Sequence, residues 1–194
     1  MLRRVAVYCG SSPGNDERYA AATVDLAQAI VAAGCGLVYG GASVGLMGLV
    51  ADTVLGAGGD VIGVMPGHLV AAEIAHPGLT ELHEVPTMLE RKTLMADLSD
   101  AFVALPGGYG TLDELFEVLT WSQLGIHAKP TGLLEVAGFW SGLTGFLDHA
   151  TAEGFIKPAH RSMLLVDDDP ARLLVRLQDW QPPTVTKWVD KDDR

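Results

Sequence analysis

Two neighbouring segments hold the residues best able to do chemistry: Met88-Leu-Glu-Arg91-Lys92 and Pro106-Gly-Gly-Tyr-Gly-Thr111-Leu-Asp-Glu114. Gly107, Gly108 and Gly110 let a backbone come close to an anion, and the helix predicted to open at Thr111 adds free amides and the positive end of its dipole. Phosphate suits such a loop, although a tight strand-to-helix turn has the same composition. Arg91 and Lys92 fall within about the first turn of a predicted helix, where the macrodipole disfavours cations by a few tenths of a kcal/mol or more. A solvated pair tolerates that cost; an anionic partner explains it, and Arg suits bidentate phosphate or carboxylate contacts better than Lys. Thr111-Leu-Asp-Glu114 also matches a capping box, in which Glu114 would reach back to the Thr111 amide. With the box formed Glu114 is structural; with a phosphate on the amides its carboxylate is left facing the cleft. Thr87-Met-Leu-Glu90 repeats the pattern one helix earlier, where capping is the better reading.

These residues need a scaffold that brings strand-to-helix junctions together, and the hydrophobic pattern supplies one. Short runs rich in Val, Ile and Leu alternate with longer helical stretches, the signature of βαβ units and a mainly parallel sheet. Strands are predicted at Val5 to Cys9, Gly36 to Tyr39, Val61 to Met65, Leu82 to Val85, Ala101 to Leu105, Thr131 to Leu134 and Met163 to Val166. Helices are predicted at Glu17 to Ala33, Leu46 to Ala57, Met88 to Leu98, Thr111 to Leu124, Trp140 to Glu153 and Ala171 to Trp180. Pro66 to Thr80 fits neither pattern. Gly10-Ser-Ser-Pro-Gly14, Gly40-Gly-Ala-Ser-Val-Gly45 and Pro106-Gly-Gly-Tyr-Gly110 follow strands, so they gather at the carboxyl edge of an open sheet, where ligands bind at a topological switch point. Ser11 and Ser12 can donate to a sugar or phosphate or simply turn the chain into a helix. Gly40, Gly41 and Gly48 do not have the G-x-G-x-x-G spacing, which argues against a nicotinamide enzyme, but Gly40 and Gly41 still permit close approach of a ligand. The helix from Thr111 to Leu124 has too many apolar positions for one narrow stripe: it is core of a large sheet or a homodimer interface.

Composition narrows the function classes. With 194 residues, 48% of them hydrophobic and 19% charged, the chain can bury a full core, read as one domain over 1–181 with a loose tail over 182–194. The formal charge of −11 argues against nucleic-acid polymers, which need clustered cations; a single phosphate needs only a local pocket. No stretch approaches the roughly 20 apolar residues of a membrane span, and Met1 to Tyr8 reads as a strand and not a signal peptide, so a cytoplasmic protein is expected. Cys9 and Cys35 read as core, and the six histidines are scattered without a pair at i, i+4.

Met88-x-x-Arg91-Lys92 followed by Pro106-Gly-Gly-x-Gly-Thr-x-x-Glu114 resembles the paired signature of the Lonely Guy (LOG) family, cytokinin-activating phosphoribohydrolases often mislabelled as lysine decarboxylases. The likeness extends through Gly10-Ser-Ser12, the Tyr39-Gly-Gly loop with Gly45-Leu-Met-Gly48, and Trp121-Ser-Gln-Leu-Gly-Ile-His127 with Lys129-Pro130. It implies an α/β, Rossmann-like parallel sheet with helices on both faces, a homodimer, and hydrolysis of a nucleoside 5'-monophosphate to ribose 5-phosphate and a free base. The substrate would be AMP or an N6-substituted relative such as isopentenyladenosine monophosphate. By the family pattern Arg91 and Glu114 are the catalytic pair; Lys92 and Gly108, Tyr109, Gly110 and Thr111 hold the ribose phosphate; Glu73 is a further substrate contact. Ala42 departs from the pattern, standing where the family commonly has a third glycine after Tyr39.

The residues agree with that chemistry. Breaking the bond between ribose and base builds positive charge on the sugar, which a carboxylate near C1' stabilises. Glu114 suits that role, and Arg91 can hydrogen-bond the departing base, although a guanidinium is a poor proton donor. No metal or redox cofactor is required, and no Lys stands out as a Schiff-base candidate. The competing expectation is a non-catalytic phosphate-ligand carrier, as in molybdenum-cofactor carriers, which would need the glycine loops but not the Arg91–Glu114 pair. Met88 lines a base pocket or is core; the spacing does not distinguish prenylated from plain adenine.

Overall fold

The computed structural model describes residues 1–70 and 74–183. Seven parallel strands, β1 (Arg4–Tyr8), β2 (Gly36–Tyr39), β3 (Val61–Pro66), β4 (Glu81–Val85), β5 (Ala101–Ala104), β6 (Thr131–Leu134) and β7 (Leu164–Asp167), form one sheet in the order β4-β3-β2-β1-β5-β6-β7. Each strand lies within a residue or two of the run of Val, Ile and Leu that predicts it. The order reverses between β1 and β5, so the loops leaving these two strands part to opposite faces and open a crevice at their carboxyl ends.

Helices cover both faces. Period-2 alternation along β1 sends Val5 and Val7 to a core with Leu26 and Ile30 of α1 (Glu17–Ala32), Val50 and Val54 of α2 (Gly45–Gly56) and Leu173 and Leu177 of α8 (Pro170–Asp179). Ala6 and Tyr8 face the other core, with Met95 of α4 (Met88–Leu98), Leu115 and Val118 of α5 (Tyr109–Gln123) and Leu147 of α6 (Ser141–Ala152). Gly34, at φ 70°, ends α1: its amide bonds to the Val31 carbonyl and the Cys35 amide to the Ile30 carbonyl, which turns the chain straight into β2. Two single turns, α3 (Gly67–Val70) and α7 (Pro158–Arg161), carry too little periodicity to be read from sequence. After α3, Ile74 to His76 runs antiparallel beside Gly41 to Ser43, joined by Ser43 N–H to Ile74 O and His76 N–H to Gly41 O, each 2.9 Å.

The far edge is held by Asp167 at the end of β7. Its side chain, 4% exposed, accepts from Arg172 Nε at 3.0 Å and Arg176 Nη1 at 2.8 Å, both on α8. Hydrogen bonds from Arg172, and next from Arg176, hold its carboxyl well below the usual range against the opposing effect of burial. The folded form therefore favours the ionised carboxylate: the stabilisation is full above the unfolded value near 4 and is lost as pH falls. Asp167→Asn is expected to lower unfolding free energy by about 1–2 kcal/mol at pH 7, since both arginines are half exposed. Urea denaturation should show the gap beginning to narrow below about pH 4 and closing only as pH falls through the lowered folded value.

Candidate active site

The first turn of α4 sets the geometry. Thr87 caps the helix, accepting from the Glu90 amide at 3.2 Å, and its hydroxyl donates to Glu90 Oε2 at 2.9 Å. Capping thus keeps Glu90 occupied on the outer side of the turn. Arg91, the next residue, points inward and is buried: its Nε donates to the Val64 carbonyl of β3 at 3.0 Å and its Nη1 to Glu114 Oε1 at 2.9 Å. Glu114 is 8% exposed. Burial raises its pKa above the ordinary carboxyl value, Arg91 opposes that rise, Asp113 adds to it and Lys92 reduces it. Beneath the pair, burial pushes the Tyr8 hydroxyl and Cys9 thiol upward as well, so Cys9 is an inert core thiol.

Gly40 is tied to this pair. A methyl group on it would overlap Arg91 Nη2 and Met47 Cε, so glycine lets the guanidinium lie against the backbone. Gly40→Ala must displace a group fixed at two other points and is expected to cut kcat/KM by at least about tenfold, since misplacement of a reacting group by 1 Å costs about 10²-fold. A circular dichroism spectrum unchanged beside lost turnover is the expected record. Gly41, at φ 82°, packs on Met65 and Leu82 and gives its carbonyl to His76.

The glycine loop differs from the capping-box expectation. α5 begins at Tyr109 with Gly108 as N-cap, so Thr111 lies inside the first turn, 3% exposed, and cannot cap it. The reason is packing. Gly107 lacks the Cβ that would overlap the Thr111 hydroxyl, which lets the helix start earlier, while Arg91 engages Glu114. Gly108 makes no side-chain cap, leaving the first-turn amides to an outside acceptor. A Cβ at Gly108 or Gly110 would meet nothing within 4 Å, so packing does not demand glycine there; a ligand close to the backbone would.

Ser11 and Ser12 are exposed on the loop after β1. Gly10 N–H bonds to the Pro106 carbonyl at 3.1 Å and Leu46 N–H to the Gly10 carbonyl at 3.1 Å, which draws the three glycine-containing loops together. A cavity of about 270 Å³ lies in the crevice, lined by residues including Ser11, Ser12, Gly107, Gly108, Tyr19 and Phe139. Tyr109 is 94% exposed and Met88 43% exposed at the start of α4. Lys92 Nζ lies 3.0 Å from both Asp113 Oδ2 and Glu117 Oε2. Glu73 lies outside the described residues.

Two partners escaped the sequence reading. The Val64 carbonyl that orients Arg91 is backbone and leaves no residue-type signal. His76, read as one of several scattered histidines, is buried, with Nε2 2.9 Å from Asp52 Oδ1 and Nδ1 accepting from the Gly78 amide at 3.1 Å, and so anchors the strip beside Gly41. Asp52 and His76 have no spacing that announces a pair.

A parallel sheet with glycine loops at its switch point and a buried cation–carboxylate pair beside an open helix N-terminus defines a Rossmann-like α/β protein with its candidate site at the sheet's carboxyl edge. The chain belongs to the LOG family: the family's sequence model, described as "Possible lysine decarboxylase", matches residues 47–177. It is 50% identical over 182 residues to "Probable cytokinin riboside 5'-monophosphate phosphoribohydrolase LOGL5" of Oryza sativa subsp. japonica, covering 94% of this chain and 74% of that protein. It is 47% identical over 181 residues to "Cytokinin riboside 5'-monophosphate phosphoribohydrolase LOG1" of Arabidopsis thaliana, covering 93% and 85%. Among solved structures it is similar to the Moco carrier protein of Chlamydomonas reinhardtii, with a TM-score of 0.69 and 22% identity over 92% of this chain and 96% of that one, a likeness of fold alone.

Proposed function

We propose that the protein hydrolyses the N-glycosidic bond of a cytokinin riboside 5'-monophosphate, releasing the free base and ribose 5-phosphate. The observation that carries this reading is the buried Arg91–Glu114 pair beside the uncapped N-terminus of α5, in a chain about half identical to proteins named for that reaction. The phosphate accepts from the amides of Tyr109, Gly110 and Thr111, with Ser11 and Ser12 donating from across the crevice. The sugar then lies over Glu114, whose carboxylate stabilises the charge growing at C1' and orients the attacking water. Arg91 hydrogen-bonds the departing base. Gly108 and Gly110 let the ligand reach the backbone, Gly107 makes room for Thr111, Gly40 seats the guanidinium, Glu73 contacts the substrate, and Met88 borders the base. A carrier would have no use for a buried carboxylate aimed at the sugar.

AMP is the simplest substrate of this class, and the names of the relatives favour an N6-substituted one. The protein works as a cytoplasmic homodimer, a state supported by the apolar side chains exposed on and just beyond α5: Tyr109 at 94%, Ile126 at 65%, Leu124 at 38% and Phe116 at 37%. Among the described residues no helix is long and apolar enough to cross a membrane. The test compares kcat/KM for isopentenyladenosine monophosphate, AMP and the unphosphorylated riboside by chromatography of the released base, with light scattering on the same sample. Release that requires the 5'-phosphate is the expected result; equal rates on the riboside, or a monomeric mass, would overturn the phosphate site or the dimer respectively.

A further inference from the structure

The two adjacent cations of α4 face different carboxylates. Arg91 takes Glu114; Lys92 reaches Asp113 and Glu117, each at 3.0 Å, along the flank of α5. Asp113 and Glu117 stand four residues apart on the same helix face, a like-charge spacing that repels. Lys92 bridges them, its side chain 15% exposed. Burial works against that charge, yet the hydrogen bonds to Asp113 and then Glu117 outweigh it and hold the ammonium above its ordinary pKa. To reach a phosphate at the α5 N-terminus Lys92 would have to abandon two charged hydrogen bonds and leave both carboxylates unpaired.

We propose that Lys92 is a positioning residue and not a phosphate ligand: by engaging Asp113 and Glu117 it keeps the α4–α5 seam neutral and leaves Arg91 to Glu114 alone. This rests on the hydrolytic reading of the site. The charged and titratable groups around the Arg91–Glu114 pair are Lys92 from α4, Asp113 and Glu117 from α5, Tyr8 from β1 and Cys9 just after it. Arg91 and Lys92 favour the ionised form of Glu114 and Asp113 opposes it. Without Lys92, Asp113 acts on Glu114 unopposed by its own partner, and the carboxylate that hydrolysis needs is harder to keep ionised.

The experiment uses Lys92→Met, alone and combined with Asp113→Asn and Glu117→Gln, in the full chain. Two readouts are compared: the pH profile of kcat/KM for AMP and the Kd for ribose 5-phosphate. The single variant is expected to move the acid limb up by about 0.5 pH unit, a smaller shift than a direct partner gives. The triple variant should move it back, and ribose 5-phosphate should bind within about twofold of wild type in both. A loss of ribose 5-phosphate binding of tenfold or more that the triple variant does not repair would make Lys92 a phosphate ligand and overturn the proposal; so would an unmoved acid limb. If wild type releases no base, the hydrolytic reading fails, and carbon NMR titration of labelled glutamate, with Glu114 assigned through Glu114→Gln, reads the same shift without turnover.

Discussion

Glu114→Gln is expected to lower kcat/KM for an adenosine monophosphate by about 10²–10³-fold in a protein that still folds, the scale on which a single electrostatic stabiliser of a transition state is felt. The amide keeps the volume of the side chain and an oxygen for Arg91 Nη1, now 2.9 Å from Glu114 Oε1, and removes the negative charge that the proposed mechanism uses. Alanine is a poorer probe, because it strands a buried guanidinium at a cost of about 3–5 kcal/mol. The pH dependence has a definite sign. Burial raises the Glu114 pKa, the ionised form is the working one, and so wild-type activity is lost as pH falls through a limb above the ordinary glutamate value of about 4.3. The glutamine variant should have no such limb. Near-normal base release by it, measured by chromatography, would remove Glu114 from the chemistry.

Arg91→Ala is expected to produce a comparable loss, about 10²–10⁴-fold in kcat/KM, by two routes. The departing base loses its hydrogen-bond donor, and Glu114 loses the buried cation it pairs with, which drives its pKa further up. Arg91→Lys separates the two routes. An ammonium restores a charge near Glu114 but cannot reproduce the planar fork that reaches the Val64 carbonyl and Glu114 together, so it should recover part of the acid limb and little of kcat. Since a guanidinium stays protonated, wild type should show no basic limb from this residue below pH 10. Unchanged kcat/KM in Arg91→Ala would take Arg91 out of the site.

The parts of the molecule legible in the sequence are those that local patterns specify. Runs such as Val5 to Cys9 and Ala101 to Leu105 are buried on both faces of a parallel sheet and read directly as strands. The misfit of Arg91 and Lys92 with the helix dipole marked them as residues with partners elsewhere. Which partners was not legible, because Glu114, Asp113 and Glu117 meet α4 only through the packing of α4 against α5. Thr111 shows the limit of a local rule. Its capping pattern is genuine in sequence, yet the missing Cβ of Gly107 starts the helix before it. Gly40 makes the same point differently: a glycine expected to admit a ligand makes room for the protein's own arginine.

The most direct test is a time course of free base and ribose 5-phosphate from isopentenyladenosine monophosphate, with wild type and Glu114→Gln run side by side. Equimolar appearance of both products with wild type, and loss of both with the variant, is the expected result. Absence of free base with wild type, or its release at the wild-type rate by Glu114→Gln, would contradict the assignment of this site as a phosphoribohydrolase centre.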